Sequence, residues 1–323
     1  MKILFLSNSE KYDYSICPRG IFAINHYLKE FGNELTELGK HDMLNFYRVY
    51  KKIKPDIIVT SWIPAGIVPI FFKKLGLIKT PIVHQWDDYY TEQMTNYPKS
   101  IIRFMENYCI KTSDYITTVS KYNEILAKKL GKKVFFIPHG IENRTIKTKI
   151  NLNKLKTNPK NIKIIYIGEQ SKYKKTDEII NAMKKISGDL FLVGKVNQEF
   201  KKISGKNIHF LGEVDPREIK SILIQGDILV NPSDQDSNFK FFEYISAKKP
   251  ILGFDGRPNY FFKNRENALL TKDFEKGLLE LANNKELRLK LIKNISKIKT
   301  FSWVEIAKKH QEVYEKILSQ RKT

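Results

Sequence analysis

Cysteine is scarce in this chain, because Cys17 and Cys109 are the only two among 323 residues. Two cysteines cannot supply a disulfide framework or a cysteine-based metal cluster, and we interpret both as buried thiols. Long apolar runs are also missing. The longest, from Ile63 to Phe72, has about half of the roughly 20 residues that a membrane-spanning helix requires. The sequence therefore predicts no transmembrane helix.

Acidic residues are few relative to basic ones. The chain has 57 Lys and Arg against 35 Asp and Glu, which gives a formal net charge of +22. Such a charge favours anionic partners, namely nucleic acid, a membrane surface or phosphorylated substrates. The lysines are spread over nearly every predicted helix, so a general surface charge is an equally good explanation. The sequence also has no GxGxxG, P-loop or HExxH motif, so the sites that these motifs mark are not indicated.

What remains is the composition of a globular protein, with 41% hydrophobic and 28% charged residues. A length of 323 residues is typical of about two domains. The segment from Met1 to Lys11 has too few apolar residues for a signal peptide and suits a first β-strand. We expect a cytoplasmic protein, possibly at the inner face of the membrane.

Short aliphatic runs alternate with helical patterns along the whole chain. The predicted strands are Lys2–Asn8, Asp56–Thr60, Pro81–Gln85, Tyr115–Val119, Val134–Ile137, Ile162–Ile167, Leu190–Val193, Ile208–Phe210, Asp227–Asn231 and Pro250–Phe254. Between them, Ile101, Met105 and Tyr108 recur at helical spacing, and we interpret them as part of a core face. The alternation predicts an α/β protein with parallel sheets.

The pattern fades from Ile141 to Lys160, where the sequence is rich in Lys and Asn, and this segment is the best linker candidate. We therefore predict an N-terminal domain over 1–150, a C-terminal domain over 151–300 and a final helix over 301–323. Two α/β halves of similar size would have a cleft between the carboxyl ends of their sheets, where such folds bind ligands.

Several segments together carry a resemblance to a known family. They are FGNEL (31–35), KPDIIV (54–59), SDYITTVS (113–120), IPHGIE (137–142), IIYIGEQSKYKKTDEIINAM (164–183), NIHFLGEV (207–214), DILVNPS (227–233), KFFEYISAKKPIL (240–252) and FSWVEIA (301–307). In order and spacing they resemble retaining GT-B glycosyltransferases of the GT4 type, over nearly the whole chain. The resemblance implies two Rossmann-like domains that face each other across a cleft, with the last helix crossing back to the first domain.

The same resemblance implies the reaction. The C-terminal domain would bind a nucleotide-sugar such as a UDP- or GDP-sugar, and the N-terminal domain would face a glycan or lipid-linked acceptor. The sugar would be transferred with retention of configuration, without a metal or another cofactor. The protein's part would be to stabilise charge on the leaving diphosphate and to position the acceptor hydroxyl.

Matched positions assign the donor-binding residues. Glu243 stands where the family's glutamate accepts hydrogen bonds from the ribose hydroxyls. Lys240, in the first turn of the same helix, and Lys174, six residues after Gly168, are directed at the diphosphate. Glu169 replaces the family's usual Arg beside that glycine, which is unfavourable near phosphate unless Lys172 or the neighbouring lysines compensate.

The stretch that follows Ser233 is altered relative to the family. Relatives carry a donor-sugar glutamate eight residues before the ribose glutamate, and that position is Gln235 here, flanked by Asp234 and Asp236. Either Asp236 serves after a one-residue contraction of the loop, or Gln235 replaces the carboxylate in register. Considered alone, Asp-x-Asp resembles a pair of metal ligands, but the metal-free reaction that the resemblance implies does not need such a pair.

In the first half, Asp87 falls near a strand end, where many relatives have a histidine close to the anomeric carbon. His84 lies inside that strand and is interpreted as structural. His139 and Gly140 match a position at the cleft, with a simple turn as the alternative. The loop that Arg19 and Gly20 close is where relatives use glycine to let backbone approach the β-phosphate.

The segment FFKKLGLIK, from Phe71 to Lys79, pairs aromatic residues with lysines and could rest on an anionic membrane. The alternative is an ordinary helix whose Phe71, Phe72 and Leu75 face the core. Two other functions stay open. The same scaffold serves nucleotide-sugar epimerases, and the altered site with the charge of +22 would suit a non-catalytic carbohydrate or nucleic-acid binder. For the favoured transferase we expect no nucleic-acid partner.

Overall fold

The structure, a computed structural model, describes residues 1–7, 19–94, 97–142, 150–152, 155, 161–172, 174–203 and 205–321. Contacts divide the chain into an N-terminal unit, Met1–Gly140 with Phe301–Thr323, and a C-terminal unit, Ile141–Thr300. The division thus falls at Gly140, about ten residues before the predicted boundary. Cys17 and most of the predicted linker lie outside the described residues, but Leu152 is buried in the core of the C-terminal unit.

The N-terminal unit contains a sheet of parallel strands in the order β2-β1-β3-β4-β5-β6. The strands are β1 (Lys2–Leu6), β2 (Glu34–Leu38), β3 (Ile57–Ser61), β4 (Ile82–Gln85), β5 (Tyr115–Thr118) and β6 (Lys133–Phe136), and β7 (Gly140–Ile141) follows. The central strands β3, β4 and β5 are buried throughout, as expected when helices cover both faces of a parallel sheet.

Helices follow these strands. They are α1 (Gly20–Glu30), α2 (Phe46–Ile53), α3 (Ile63–Lys74), α4 (Tyr90–Gln93), α5 (Lys99–Thr112) and α6 (Lys121–Lys129). One core cluster lies between the sheet and the helices α3 and α5, around Ile58, Ile70 and Cys109. Within the described part of the chain, no helix is both long enough and apolar enough to cross a bilayer.

The C-terminal unit has a second parallel sheet, in the order β10-β9-β8-β11-β12-β13. Its strands are β8 (Ile162–Ile167), β9 (Gly188–Val193), β10 (Ile208–Gly212), β11 (Ile228–Asn231), β12 (Ile251–Phe254) and β13 (Leu269–Thr271). Its helices are α7 (Thr176–Ala182), α8 (Gln198–Ile203), α9 (Ile219–Leu223), α10 (Phe239–Ala247), α11 (Phe274–Asn283) and α12 (Lys285–Ile295). Apolar clusters fill both faces of the sheet.

The chain ends with β14 (Phe301–Ser302) and α13 (Trp303–Ser319). Ser302 and Glu305 form a capping box that starts this helix. One face of this helix is apolar, since Trp303, Ile306 and Tyr314 are buried, and α13 packs on α1 of the N-terminal unit. The fold class is therefore α/β with two Rossmann-like parallel sheets, as the sequence predicts.

Candidate functional site

The carboxyl end of the sheet in the C-terminal unit offers a natural ligand position. In the order β10-β9-β8-β11-β12-β13, successive strands run outward from β8 in one direction and from β11 in the other. Ligands of such sheets bind at this switch point, outside the carboxyl ends of the two central strands. Gly168 follows β8 directly, and Ser233 comes two residues after the end of β11. The topology thus places both predicted residues at the switch point.

Two glycines make room at this end of the sheet. Gly168 has a φ of +127°, and a Cβ there would overlap the Nζ and Cε atoms of Lys240. Gly194, at the end of β9, has a φ of +129°, and its Cβ would overlap the carbonyl oxygen of Gly168. Both positions therefore favour glycine for their backbone conformation. At Gly194 the fixed backbone of Gly168 also leaves no space for a side chain, whereas at Gly168 a Cβ would have to displace the end of the Lys240 side chain. The result is a bare backbone segment in direct contact with the amino group of Lys240.

Lys240 is held beneath the turn after β8. Its Nζ lies 4.7 Å from the centroid of the Tyr166 ring and 3.4 Å from the Tyr166 hydroxyl oxygen. Burial, and next the positive charge of Lys174, lower the pKa of Lys240 to about 8, while the carboxylates of Glu243 and Glu169 act in the opposite direction. Lys174 is thus near enough to repel the amino group of Lys240, which lies at Gly168, and a bound anion would relieve this repulsion.

Two backbone N–H groups at the start of α10 are already bonded within the helix cap. Asn238 caps this helix, and its side-chain oxygen accepts the N–H of Lys240 at 3.1 Å. The Asn238 carbonyl oxygen accepts the N–H of Phe241, also at 3.1 Å. Hence at this helix start the side chain of Lys240, rather than its backbone N–H, is directed to the switch point.

The remaining predicted donor residues in this unit differ in exposure. Lys174 and Glu243 are half-buried, whereas Lys172 and Glu169 are exposed. The backbone carbonyl of Glu169 accepts a hydrogen bond of 2.7 Å from the Tyr166 hydroxyl, which ties the turn to the strand before it. The carboxylate that replaces the family's arginine therefore lies on the surface of the turn.

The triplet from Asp234 to Asp236 is divided between two different roles. Asp234 accepts the backbone N–H of Arg257 at 2.7 Å, and its carbonyl oxygen accepts the Arg257 Nε at 2.7 Å. Asp236 is buried, and Gln235 is half-buried with its backbone N–H 3.3 Å from the Ser233 hydroxyl. Across the described residues, no three His, Cys, Asp or Glu side chains are grouped as metal ligands.

Two buried amides at the same sheet end were given no role from the sequence. Gln170 accepts the N–H of Asn197 through its Oε1 at 2.9 Å, and Asn231 accepts the N–H of Ser233 through its Oδ1 at 3.3 Å. Their Nε2 and Nδ2 atoms are buried without a hydrogen-bond partner. Such donors are costly unless something accepts from them. Their sequence signal is a polar residue at or shortly after the end of a buried strand, which does not by itself indicate a buried donor.

In the N-terminal unit, Asp87 follows β4 and is half-buried. Burial, and next the negative charge of Asp88, raise the pKa of Asp87 to about 7, against a hydrogen bond from the Val119 backbone. A carboxyl group that titrates near neutrality is suited to exchange a proton with a hydroxyl. The structure gives this predicted residue the electrostatics of a general base or acid.

The loop that carries Asp87 is fixed by Glu106 of α5. This buried carboxylate accepts hydrogen bonds from Trp86 Nε1 at 2.8 Å, from the Tyr90 N–H at 2.8 Å and from the Thr91 N–H at 3.1 Å. The Thr91 hydroxyl adds a fourth bond at 2.5 Å. All four donors belong to residues that flank Asp87 and Asp88 along the chain. Sequence reasoning missed Glu106, because a glutamate on a helix does not by itself indicate burial.

The other predicted residues of this unit lie elsewhere along the same sheet end. Arg19 and Gly20 are half-buried at the start of α1, and Gly20 has a φ of +57°, which favours glycine. His139 is buried with its ring 6.2 Å from that of Trp303, and a Cβ at Gly140 would come within 2.6 Å of the same indole. Packing against Trp303 therefore explains why residue 140 is a glycine. With strands about 4.8 Å apart, β1 and β6 are separated by roughly 20 Å, so these pairs form no single cluster.

His84 is fully buried inside β4, with its Nδ1 2.9 Å from the Thr60 hydroxyl. Burial lowers the pKa of His84 to about 4, so the ring is neutral near pH 7. Gly66 packs against it, since a Cβ there would lie 3.2 Å from His84 Nδ1 and 2.9 Å from Cys109 Sγ. These contacts fit the structural interpretation of His84.

The first comparison with known proteins concerns the C-terminal unit. The family described as "Glycosyl transferases group 1" matches residues 147–298, which span this unit. The chain carries a glycosyl transferases group 1 domain. No curated protein sequence matches the chain significantly.

The glycosyltransferase domain and the rest of the chain also have structural relatives. HepE from Anabaena, solved in complex with UDP-glucose, has a TM-score of 0.71 and 15% identity, covering 98% of this chain and 100% of that one. Sucrose-phosphate synthase from Thermosynechococcus elongatus has a TM-score of 0.78 and 13% identity, covering 99% of both chains. A glycosyltransferase from Rickettsia africae has a TM-score of 0.74 and 14% identity, covering 98% of both. These likenesses establish the GT-B fold.

Proposed function

We propose that this chain transfers a sugar from a nucleotide-sugar donor to a glycan or lipid-linked acceptor, with retention of configuration and without a metal. The observation that carries the proposal is the contact of the Lys240 amino group with the bare backbone of Gly168, at the switch point of the glycosyltransferase domain, with the positive charge of Lys174 nearby. HepE was solved with UDP-glucose and with UDP, which supports a UDP-sugar as the donor.

The proposed chemistry places the diphosphate next to the two lysines. As the bond to the sugar breaks, negative charge grows on the leaving diphosphate, and positive groups already in place stabilise it without reorganisation. Lys240 is suited to this because burial keeps water from screening its charge. Glu243, three residues along the same helix, would accept hydrogen bonds from the ribose hydroxyls.

The donor sugar would lie beyond the diphosphate, near the triplet after Ser233. Asp234 is committed to Arg257, so the proposed contacts to sugar hydroxyls are left to Gln235 and Asp236. The amide nitrogens of Gln170 and Asn231 are further donors available at this sheet end. In the N-terminal unit, Asp87 would take or share the proton of the acceptor hydroxyl, and Arg19, Gly20, His139 and Gly140 remain weaker candidates for donor contacts.

The test is a thermal-shift screen of the full chain against UDP-, GDP-, ADP- and CMP-sugars. A ligand at 100 times its Kd stabilises the protein by about 2.7 kcal/mol, which is readily detected as a rise in Tm. Glu243→Ala should abolish the response, and Glu286→Ala, an exposed glutamate on α12, should leave it intact. An undiminished shift in Glu243→Ala would refute the site, and a product that keeps its nucleotide would support an epimerase instead.

The proposed location is the cytoplasmic face of a membrane, and one surface of the N-terminal unit supports it. On α3, Phe71 is 55% exposed and Leu75 is 56% exposed. On the adjacent α5, Ile101 is 53% exposed and Phe104 is 71% exposed. Packing of α3 on α5 brings these four side chains to one α3–α5 surface. The prediction that Ile101 faces the core is therefore wrong. Of the two aromatic residues in the segment from Phe71 to Lys79, Phe72 packs inward on Tyr47.

Lysine joins the two halves of the α3–α5 surface. The Nζ of Lys74 lies 4.5 Å from the Tyr108 ring centroid, and the Tyr108 ring stacks on Phe104 at 6.3 Å. The sequence from Ile57 to Trp86 contains no Asp or Glu, and the one glutamate of α5, Glu106, is buried. An apolar surface with exposed cations and no exposed carboxylate on either helix fits anionic lipid, and a second copy of the same surface would be repelled.

Cosedimentation with vesicles tests this contact. Phe71→Ser combined with Phe104→Ser should lower partitioning onto phosphatidylglycerol vesicles by about tenfold or more, because both rings would leave the lipid. Leu44→Ser is the matched control, since Leu44 is 98% exposed in the same unit but lies outside this surface. Unchanged partitioning of the double variant would contradict membrane docking here. Lys73 is unsuitable for such a test, because it pairs with Asp114 at 2.5 Å.

A further inference from the structure

Trp62 has an unusual backbone conformation for a residue with a side chain. It precedes α3 with φ at +76° and ψ at 153°, a region that is populated mainly by glycine. The side chain is half-buried, so part of the indole faces solvent. A strained residue persists only where its surroundings determine its conformation, and such residues are concentrated at binding sites.

Tyr90 holds Trp62 in this conformation. The two rings lie 5.3 Å apart with an angle of 31° between their planes. Tyr90 is itself buried, and its N–H donates to Glu106. Trp62 is therefore fixed by the same carboxylate that fixes the loop of Asp87.

The position of Trp62 in the sheet is equally informative. In the order β2-β1-β3-β4-β5-β6, the chain runs outward from β1 in one direction and from β3 in the other. Trp62 follows the last residue of β3 and therefore lies at the switch point of the N-terminal unit.

Two carboxylates follow the neighbouring strand end. β3 and β4 pair with Ser61 opposite Gln85, so Trp62 and the pair Asp87 and Asp88 lie just beyond the ends of adjacent strands. The same two carboxylates, after burial, raise the pKa of the Tyr90 hydroxyl. An aromatic face next to carboxylates matches the two sides of a pyranose, whose C–H face is apolar and whose edge carries hydroxyls.

We propose that Trp62 and Asp88 form a subsite for a pyranose ring of the acceptor, with the indole stacked on the ring and the carboxylate accepting its hydroxyls. The inference rests on the proposed function, because it presumes a glycan acceptor rather than a simple lipid or a protein. In this subsite Asp87 would reach the hydroxyl that attacks the donor.

Saturation-transfer NMR on the full chain tests the subsite, with p-nitrophenyl β-D-glucopyranoside and p-nitrophenyl α-D-mannopyranoside as probes. At least one probe should receive saturation at its ring C–H protons, and Trp62→Ala should weaken that binding by about fivefold or more. Trp62→Phe should restore part of the affinity, and Asp88→Asn should weaken it without loss of fold. Tyr97→Ala, which removes another exposed ring of the same unit, should have no effect.

Failure of this inference can be separated from failure of the proposed function. Trp62 is not among the residues proposed to contact the donor, so the thermal shift with UDP-glucose should be unchanged in Trp62→Ala. Wild-type binding of neither probe at millimolar concentration, or equal binding by Trp62→Ala, would overturn the subsite. Probe binding that depends on Trp62 would support it even if no nucleotide-sugar stabilised the chain.

Discussion

The lowered pKa of Lys240 predicts how donor binding depends on pH. In the free chain burial and Lys174 lower the pKa of Lys240 to about 8, whereas the ordinary value for lysine is about 10.4. A bound diphosphate favours the charged amino group and raises the pKa again. The affinity for the diphosphate should therefore be highest below about pH 8 and should fall as the pH rises through that value. Affinity falls rather than rises with pH because, above about pH 8, binding has to restore the proton that Lys240 has lost in the free chain.

The magnitude follows from the same pKa. If the bound chain keeps its proton, at about pH 9.5 the dissociation constant should be about thirtyfold higher than at about pH 7, or about 2 kcal/mol weaker. Isothermal titration calorimetry with UDP between these pH values measures the curve. Lys240→Gln should bind more weakly and lose most of the slope, while Lys276→Gln, on the exposed start of α11, should reproduce the wild-type curve. A flat wild-type profile, or the same slope in Lys240→Gln, would refute the assignment of Lys240 to the diphosphate.

Two further substitutions test the supporting structure. Gly168→Ala should abolish UDP binding in calorimetry, because the new Cβ displaces Lys240 and the φ of +127° disfavours alanine; a wild-type Kd would show that Lys240 can move freely. Glu106→Gln should lower the free energy of unfolding by about 2–4 kcal/mol, since an NH₂ group would face donors of Trp86, Tyr90 or Thr91. It should also reduce sugar transfer with little change in UDP affinity, and denaturant unfolding that matches wild type would contradict this role.

Much of the fold was predictable, because buried parallel strands carry a strong aliphatic signal. The strand β8 was predicted with its bounds as observed, and most others were within two residues of theirs. In the two large sheets the strands that sequence reasoning missed, β2 and β13, are edge strands, and the two-residue strands β7 and β14 were also missed. An edge strand is buried on fewer sides, and β2 with the sequence ELTEL has no apolar face that a pattern would reveal.

The candidate site was predictable only where a residue's role depends on local spacing. Lys174, Lys240 and Gly168 were assigned from matched positions, and the contact of Lys240 with Gly168 is consistent with a shared site. Glu106 and Trp62 were not found, because one acts through burial and the other through a backbone angle. Both properties arise from tertiary packing and leave no periodic signal in the sequence.

The pair Asp234 and Asp236 shows how packing separates residues that a motif treats as equivalent. Side chains two apart point to the same side only in an extended strand, and this triplet lies in the loop between β11 and α10. Asp234 turns toward Arg257 and orders the backbone after β12, where a Cβ at Gly256 would overlap its carboxylate. Asp236 is buried before the start of α10. A cation that bridged them would compete with Arg257 for the Asp234 carboxylate, so we expect the choice between Gln235 and Asp236 to concern the sugar.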